Sequence, residues 1–232
     1  MENPMNSNGQ QSKAAVLGDL AKRTLLASAG LFFYGFCIYC FIQANIGVGP
    51  WDVFCIGLSN TLHVKYGTAS ISISFLLIII DLLLGEKIGL GTILDAIIVG
   101  KTVDLFNALN LIPVIEHNYV ISLLMLILVF IGEGFAQFLY MKAGLSCGPR
   151  DSFQIAIGKR MPKISIGVVN IIILAVVLII GLLLKGPFGI GTILAPFGIG
   201  IFQDVVFKIT KFKPKEVKHQ SIIETFKLLT GK

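Results

Sequence analysis

The chain has 232 residues, of which 55% are hydrophobic and 14% charged; an ordinary soluble domain is about 25% charged, so this one has too little polar surface to wrap a single soluble core. Its mean hydropathy of +0.85 places most of the chain in a bilayer. The net charge of +6 gathers in short flanks and in the tail, which points to lipid headgroups and membrane orientation and away from nucleic acid.

Residues 1–18 are polar and lack the layout of a cleaved signal peptide. Lys22 and Arg23 precede an uncharged run over 24–51, which predicts a retained first helix over about 24–44 and a cytoplasmic N-terminus. Further spans are predicted over 67–84, 119–141 and 164–184. Each is long enough for a hydrocarbon core of about 30 Å at about 1.5 Å per residue. The segments 91–110 and 191–208 are also long enough, but they carry glycine and ionisable residues and are expected to face protein. Two shorter segments, 50–62 and 149–160, each begin with Pro after Gly, which suits a first helical turn. At about 20 Å each is too short for an upright span, so both read as re-entrant or interfacial helices with their ends buried in protein. In the tail, Lys208, Lys211, Lys213, Lys215 and Lys218 precede Ile222, Ile223, Phe226 and Leu229 at helical spacing. That pattern predicts a cytoplasmic helix lying on anionic lipid.

The chain repeats itself about 99 to 100 residues apart. Gly49-Pro50-Trp51-Asp52 returns as Gly148-Pro149-Arg150-Asp151, and Gly89-Leu90-Gly91-Thr92 returns as Gly189-Ile190-Gly191-Thr192. Gly100 and Asp104 return as Gly200 and Asp204. The expected fold is therefore all-α and polytopic: a repeat over 19–112, a second over 113–210, and a basic tail over 211–232. If the short helices do not cross, there are six spans in inverted repeats; if they cross, there are eight in parallel repeats. The distribution of lysine and arginine favours six.

Several residues carry candidate chemistry. Asp52 and Asp151 sit in the first turns of the short helices, where a carboxylate satisfies backbone N–H groups. If the two turns meet at the repeat axis, the same residues could form a substrate or ion site, with Arg150 and Trp51 beside them. Glu133 lies near the middle of a span, with Gln137 one turn on, and its repeat counterpart is Tyr34. An acid at that depth is a functional candidate. Lys101 and Asp104 are three apart and could pair along one helix face, Asp204 repeats Asp104, and Asp95 reads as a rim residue. The Gly-x-Gly-Thr turns lack the strand setting and the Gly-Lys-Ser/Thr ending of a phosphate loop; glycine for a turn followed by an N-capping Thr accounts for them. Cys37, Cys40, Cys55 and Cys147 match no zinc spacing and read as small apolar packing residues. No metal, cofactor or enzymatic motif is expected.

The ordered set Gly-Val-Gly-Pro-Trp-Asp (47–52), Gly-Leu-Gly-Thr-Ile-Leu-Asp-Ala (89–96) and Gly100 to Asp104-Leu105-Phe106 resembles the YczE/YyaS/YitT group of bacterial integral membrane proteins over roughly 24–208. The resemblance implies a multi-spanning plasma-membrane protein and supplies no agreed substrate. Lys101 stands where that group would be expected to have a small residue or Pro, and the second repeat has Arg150 in place of Trp. The expected activity is movement of a small solute or ion. The alternative is an accessory protein supporting a partner complex through its basic tail. The oligomeric state is not readable from the sequence.

Overall fold

The computed structural model describes residues 13–214, 217 and 220–230, and all regular structure among them is helical. The helices are α1 (Lys13–Gln43), α2 (Pro50–Leu62), α3 (Tyr66–Leu83), α4 (Leu90–Leu109), α5 (Tyr119–Lys142), α6 (Pro149–Arg160), α7 (Ile166–Leu183), α8 (Ile190–Ile209) and α9 (Ile222–Thr230). The short helices fall where the Gly-Pro turns place them. The first helix starts earlier than its apolar run, at Lys13, because the preceding Ala-rich residues are good helix formers and Asp19 pairs with Arg23 one turn on, at 3.7 Å. By length and composition α1, α3, α5, α7 and α8 are apolar enough to cross a membrane. The equally long α4 carries Asp95, Lys101 and Asp104.

The helices sort into two groups. In the first, α1 packs on α4 and α5, and α5 on α8, giving the lateral order α4-α1-α5-α8. Small residues set these approaches. Gly30 lies on the backbone of Ala136 and Tyr140, while Cys37 fills the space over Gly132, so α1 and α5 run antiparallel. Gly35 lies on Val99 and Thr102, and Phe36 and Tyr39 pack on Phe106, so α1 and α4 run parallel. In the second group α2 packs on α3 and α7, and α6 on α3 and α7. Gly57 and Gly181 allow the α2–α7 contact, where Gly181 meets the backbone of Phe54.

The ends of α1 and α4 meet through Tyr39, whose hydroxyl donates to Ile112 O at 2.9 Å and accepts from Ile112 N at 2.8 Å. This end is called the far side; the start of α1 and the end of α5 mark the termini side. The α2 helix finishes on the far side, where Thr61 Oγ1 lies 3.5 Å from Leu184 O. The α6 helix finishes on the termini side, where Arg160 Nη2 donates to Leu84 O and Lys159 pairs with Glu86 at 2.7 Å. Their first turns face one another between the two sides.

The turns of one half dock on those of the other. Gly91 N donates to Leu145 O, and Gly191 N to Ile46 O, both at 2.7 Å. A side chain at Gly89 would strike Leu145 and Ser146, and one at Gly189 would strike Ile46. The expected N-cap role of Thr is thereby corrected: Gly89 and Gly189 are the caps because the opposing backbone leaves no room for a Cβ. Thr92 and Thr192 lie three residues further, and each Oγ1 accepts from the cap N–H at 3.3 Å.

One pair of equivalent contacts differs. The α3 helix packs closely on α4, with Gly67 against the Gly100 backbone and Asp104 Oδ1 accepting from Gly67 N at 2.8 Å. The corresponding helices α7 and α8 scarcely touch, and no atom lies near the Cβ positions of Gly167 or Gly200. Pro196 stands inside α8 where α4 has Ala96. Its missing N–H and its ring weaken the ladder there, and the termini-side half of α8 stands away from α7.

The tail docks on the termini side. Arg23 donates to Ala143 O, Gly144 O and Gln220 Oε1, and Ile222 N donates to Ile88 O at 2.9 Å. Ser221 and Glu224 form a reciprocal cap at the start of α9. Ile223 and Phe226 are exposed. Lys215, Lys218 and residues 1–12 lie outside the described residues, as does the side chain of Leu229.

Candidate functional site

The first turns of α2 and α6 carry Asp52 and Asp151, and neither carboxylate caps its own helix. A glycine occupies each cap position, without a side-chain bond, so both acids point into the space between the helix groups. Asp52 Oδ1 accepts from Tyr66 OH at 2.8 Å and faces Arg150 Nη1 at 3.4 Å. Arg150 Nη2 also reaches Ser70 Oγ and Cys55 Sγ, each at 3.4 Å, and the guanidinium lies over the Trp51 ring, 5.4 Å from its centroid. Arg150 thus ties the start of α6 to α2 and α3. With side chains only 19% and 10% exposed, the Arg150–Asp52 pair is costly to break from one side.

Around this cluster lies a cavity of about 480 Å³, between α5 and α8 on one wall and α2, α6 and α7 on the other. Its volume is in the range of small-molecule sites. Tyr34, Gln137, Arg150 and Asp151 also line a smaller chamber of about 70 Å³ that extends to Asp95 and Ser70. Asn170 and Leu174 of α7 and Pro196, Ile199 and Gln203 of α8 line the outer cavity on the two sides of the gap between these helices.

Residues that match in sequence about 99 apart meet here: Trp51 and Arg150, Asp52 and Asp151, and Tyr34 and Glu133 all line the outer cavity. Ser70 and Asn170 form a fourth pair, each lining one of the two spaces. Three polar atoms of the outer wall have no protein partner: Glu133 Oε2, Trp51 Nε1 and Asn170 Oδ1. Glu133 is 2% exposed, so its free oxygen is unusual for a buried group. Asp151 is reached through the cavity and takes only a 3.4 Å contact from Tyr140 OH; that hydroxyl also accepts from Gly148 N at 2.8 Å.

Five of the sequence-predicted residues therefore meet: Trp51, Asp52, Glu133, Arg150 and Asp151. The other three lie elsewhere. Lys101 is exposed on α4. Asp104 serves the start of α3 through Gly67 N rather than pairing with Lys101. Asp204 is exposed beside Lys208 and Lys211. Asp95 is no rim residue, since it lines the inner chamber against Gly148. Sequence reasoning passed over Tyr66, Tyr140 and Asn170, whose roles depend on which helices face each other. It also passed over Asp81, fully buried on α3, which reads in sequence as the polar end of a span. The described residues hold no group of three or more His, Cys, Asp or Glu placed to bind a metal ion, and all four cysteines are free.

A family model described as a family of unknown function, DUF6198, matches residues 21–208. The chain belongs to this family. Among curated relatives, this DUF6198 protein is 31% identical to the uncharacterized protein YyaS of Bacillus subtilis, over 71% of this chain and 82% of the relative. It is 28% identical to the uncharacterized membrane protein YczE of the same organism, over 79% and 84%. An uncharacterized protein of Haemophilus influenzae is 30% identical over 68% and 71%. Both Bacillus names fall in the group that the turn motifs resemble. No solved structure matches significantly.

Proposed function

We propose that this DUF6198 protein moves a small solute or ion across the bacterial plasma membrane by rocking its two helix groups about the central cavity. The observation that carries the reading is the unequal packing of equivalent helices. On the far side α3 is sealed on α4 through Gly67, Gly100 and Asp104, while on the termini side α7 stands off α8 and residues of both line the cavity. The second half carries the same residues for sealing, Gly167, Gly200 and Asp204, and leaves them unused.

In the alternate state α7 closes on α8 with Asp204 taking the Gly167 N–H, and α3 parts from α4. This reading counts α4 as a sixth span, treats the halves as inverted repeats, and puts both termini in the cytoplasm, so the present state opens inward. Half-helices with facing N-terminal turns at the centre are the usual build of a site in such carriers. The cavity would hold the solute against Glu133, Asp151 and the Arg150–Asp52 pair.

The test is uptake into proteoliposomes across a panel of small organic cations, organic anions, neutral solutes and inorganic ions. At least one should accumulate above protein-free vesicles, and Asp52→Asn, Glu133→Gln and Asp151→Asn should each abolish that uptake while the protein remains monodisperse. Full activity in all three variants overturns the site. The rival reading, an accessory protein, draws on the basic tail and the exposed Ile223 and Phe226. Deleting 211–232 separates the two: loss of partner association with unchanged uptake assigns the tail a separate role, and a protein without any uptake whose only loss is the partner favours the rival.

A further inference from the structure

We infer that the solute held in the outer cavity is a small organic amine, bound as its ammonium form with its N–H groups on Glu133 and Asn170. This inference rests on the cavity being the solute site and names the chemistry it selects.

The balance of donors and acceptors on the cavity wall carries the argument. Its one cationic side chain, Arg150, already serves Asp52, Ser70 and Cys55 and lies on Trp51. Arg150 is thus committed by contact to Asp52, and neither Glu133 nor Asp151 has an ion-pair contact of its own among the described residues. Glu133 Oε2 is buried without a partner, and so is Asn170 Oδ1. Asp151 faces the cavity with one long contact from Tyr140. A ligand that satisfies these positions must bring hydrogen-bond donors, and beside two acids without an ion-pair contact those donors are best carried on a positive charge. An anion would add acceptors where acceptors are already in excess.

Two further features narrow the class. The carboxylates are not gathered into a set of three that could enclose a metal ion among the described residues, whereas an ammonium group reaches two or three separate acceptors with its own N–H bonds. Leu174, Ile155, Ile199 and Pro196 line the same space and offer an apolar wall to a carbon skeleton. Trp51 Nε1 is an unpartnered donor, so an amine that also bears a hydroxyl or ether oxygen would pair with it. The asymmetry of the repeat gives this polarity. Position 133 is an acid where its counterpart is Tyr34, and position 170 is an amide where its counterpart Ser70 is turned to Arg150.

The chain contains a single tryptophan, and it lies in this wall, so its fluorescence reports the site directly. The experiment titrates the purified full-length protein in nanodiscs with phenethylamine, 2-methoxyethylamine, tetramethylammonium, magnesium and phenylacetate, following Trp51 emission. The inference predicts a saturable change with one or both primary amines. Tetramethylammonium, which has the charge without N–H donors, should bind about tenfold or more weakly, and phenylacetate and magnesium should give no saturable change. Glu133→Gln should weaken amine binding about tenfold or more, while Lys101→Gln, on the exposed face of α4, should leave it unchanged. Phenylacetate binding as tightly as phenethylamine overturns the inference, as does amine affinity unaltered in Glu133→Gln, or no saturable response to either amine. Uptake of the same compounds into proteoliposomes separates this claim from transport. Amine binding without uptake refutes the carrier and keeps the ligand class, whereas uptake of phenylacetate alone keeps the carrier and refutes the class.

Discussion

Replacing Gly67 by alanine should tilt the protein from the state described here toward its opposite. A Cβ at Gly67 would be driven into the Gly100 carbonyl and the Asp104 carboxylate, the group that accepts the Gly67 N–H. Neither neighbour is a free side-chain end, so α3 must shift off α4. Overpacking of this kind costs about 1–3 kcal/mol, and the strained bond to Asp104 falls within that span. A cost of about 2 kcal/mol moves a two-state equilibrium about thirtyfold. Gly167→Ala supplies the reference, because no atom lies near its Cβ position and it gains the same helical propensity, about 0.5–1 kcal/mol. The assay is pulsed electron–electron distance measurement on a background lacking the native cysteines. One spin-label pair sits at the exposed positions Ser72 and Leu105 on α3 and α4, the other at their counterparts Ile172 and Val205. Gly67→Ala should add a longer distance to the first pair and a shorter one to the second, while Gly167→Ala should lock in the present distances. A folded Gly67→Ala protein with both distributions unchanged refutes the reasoning.

Other outcomes follow from the same contacts. Asp104→Ala should lower thermal stability by about 1–3 kcal/mol through loss of the Gly67 bond, whereas the exposed Asp204→Ala should stay within about 0.5 kcal/mol. Unfolding of the two variants side by side checks this, and equal losses contradict it. Arg150→Gln leaves Asp52 buried without its cation and should cost about 3–5 kcal/mol, with Asp52→Asn/Arg150→Gln less destabilised than Arg150→Gln alone; a purely additive cycle contradicts the pairing. The backbone N–H of Ser221 and the ammonium of Lys87 hold the Glu224 carboxyl below its ordinary value of 4.5. A depressed carboxylate adds stability above its unfolded pKa that is lost as pH falls through the folded one. The protection of α9 amides, corrected for the intrinsic pH dependence of exchange, should therefore be high and flat above about pH 4.5 and fall below it, with Glu224→Gln abolishing that pH dependence.

Much of the frame was legible because glycine and proline punctuate it. Pro50 and Pro149 mark the starts of the two short helices at the right residue, and Glu133 announces itself as an acid in the middle of an apolar run. What the sequence hid was relative placement. Asp104 and Asp204 look alike along the chain and differ only because α4 meets α3 while α8 stands away from α7. Thr92 and Thr192 look like N-caps until the opposing turn is present to demand glycine one step earlier. Tyr66 and Asn170 carry no local signal, since a tyrosine at a helix start and an asparagine in an apolar span acquire their roles from the cavity they face. Asp95 reads as a rim residue from its distance to the helix start, yet the α5–α6 turn folds over it.

The most direct test of the two-state account is the distance between spin labels at Ile172 and Val205, measured beside the Ser72 and Leu105 pair in protein altered only at these positions and at its native cysteines. Gly67 and Gly100 are in backbone contact, while in the present state Gly167 and Gly200 each face open space, so the present state holds the first pair of helices together and the second apart. The account predicts that each label pair shows a second population corresponding to the other pair's distance, and that a transported solute shifts the two pairs in opposite directions. A single distance for each pair, unmoved by any solute that is taken up, contradicts the account.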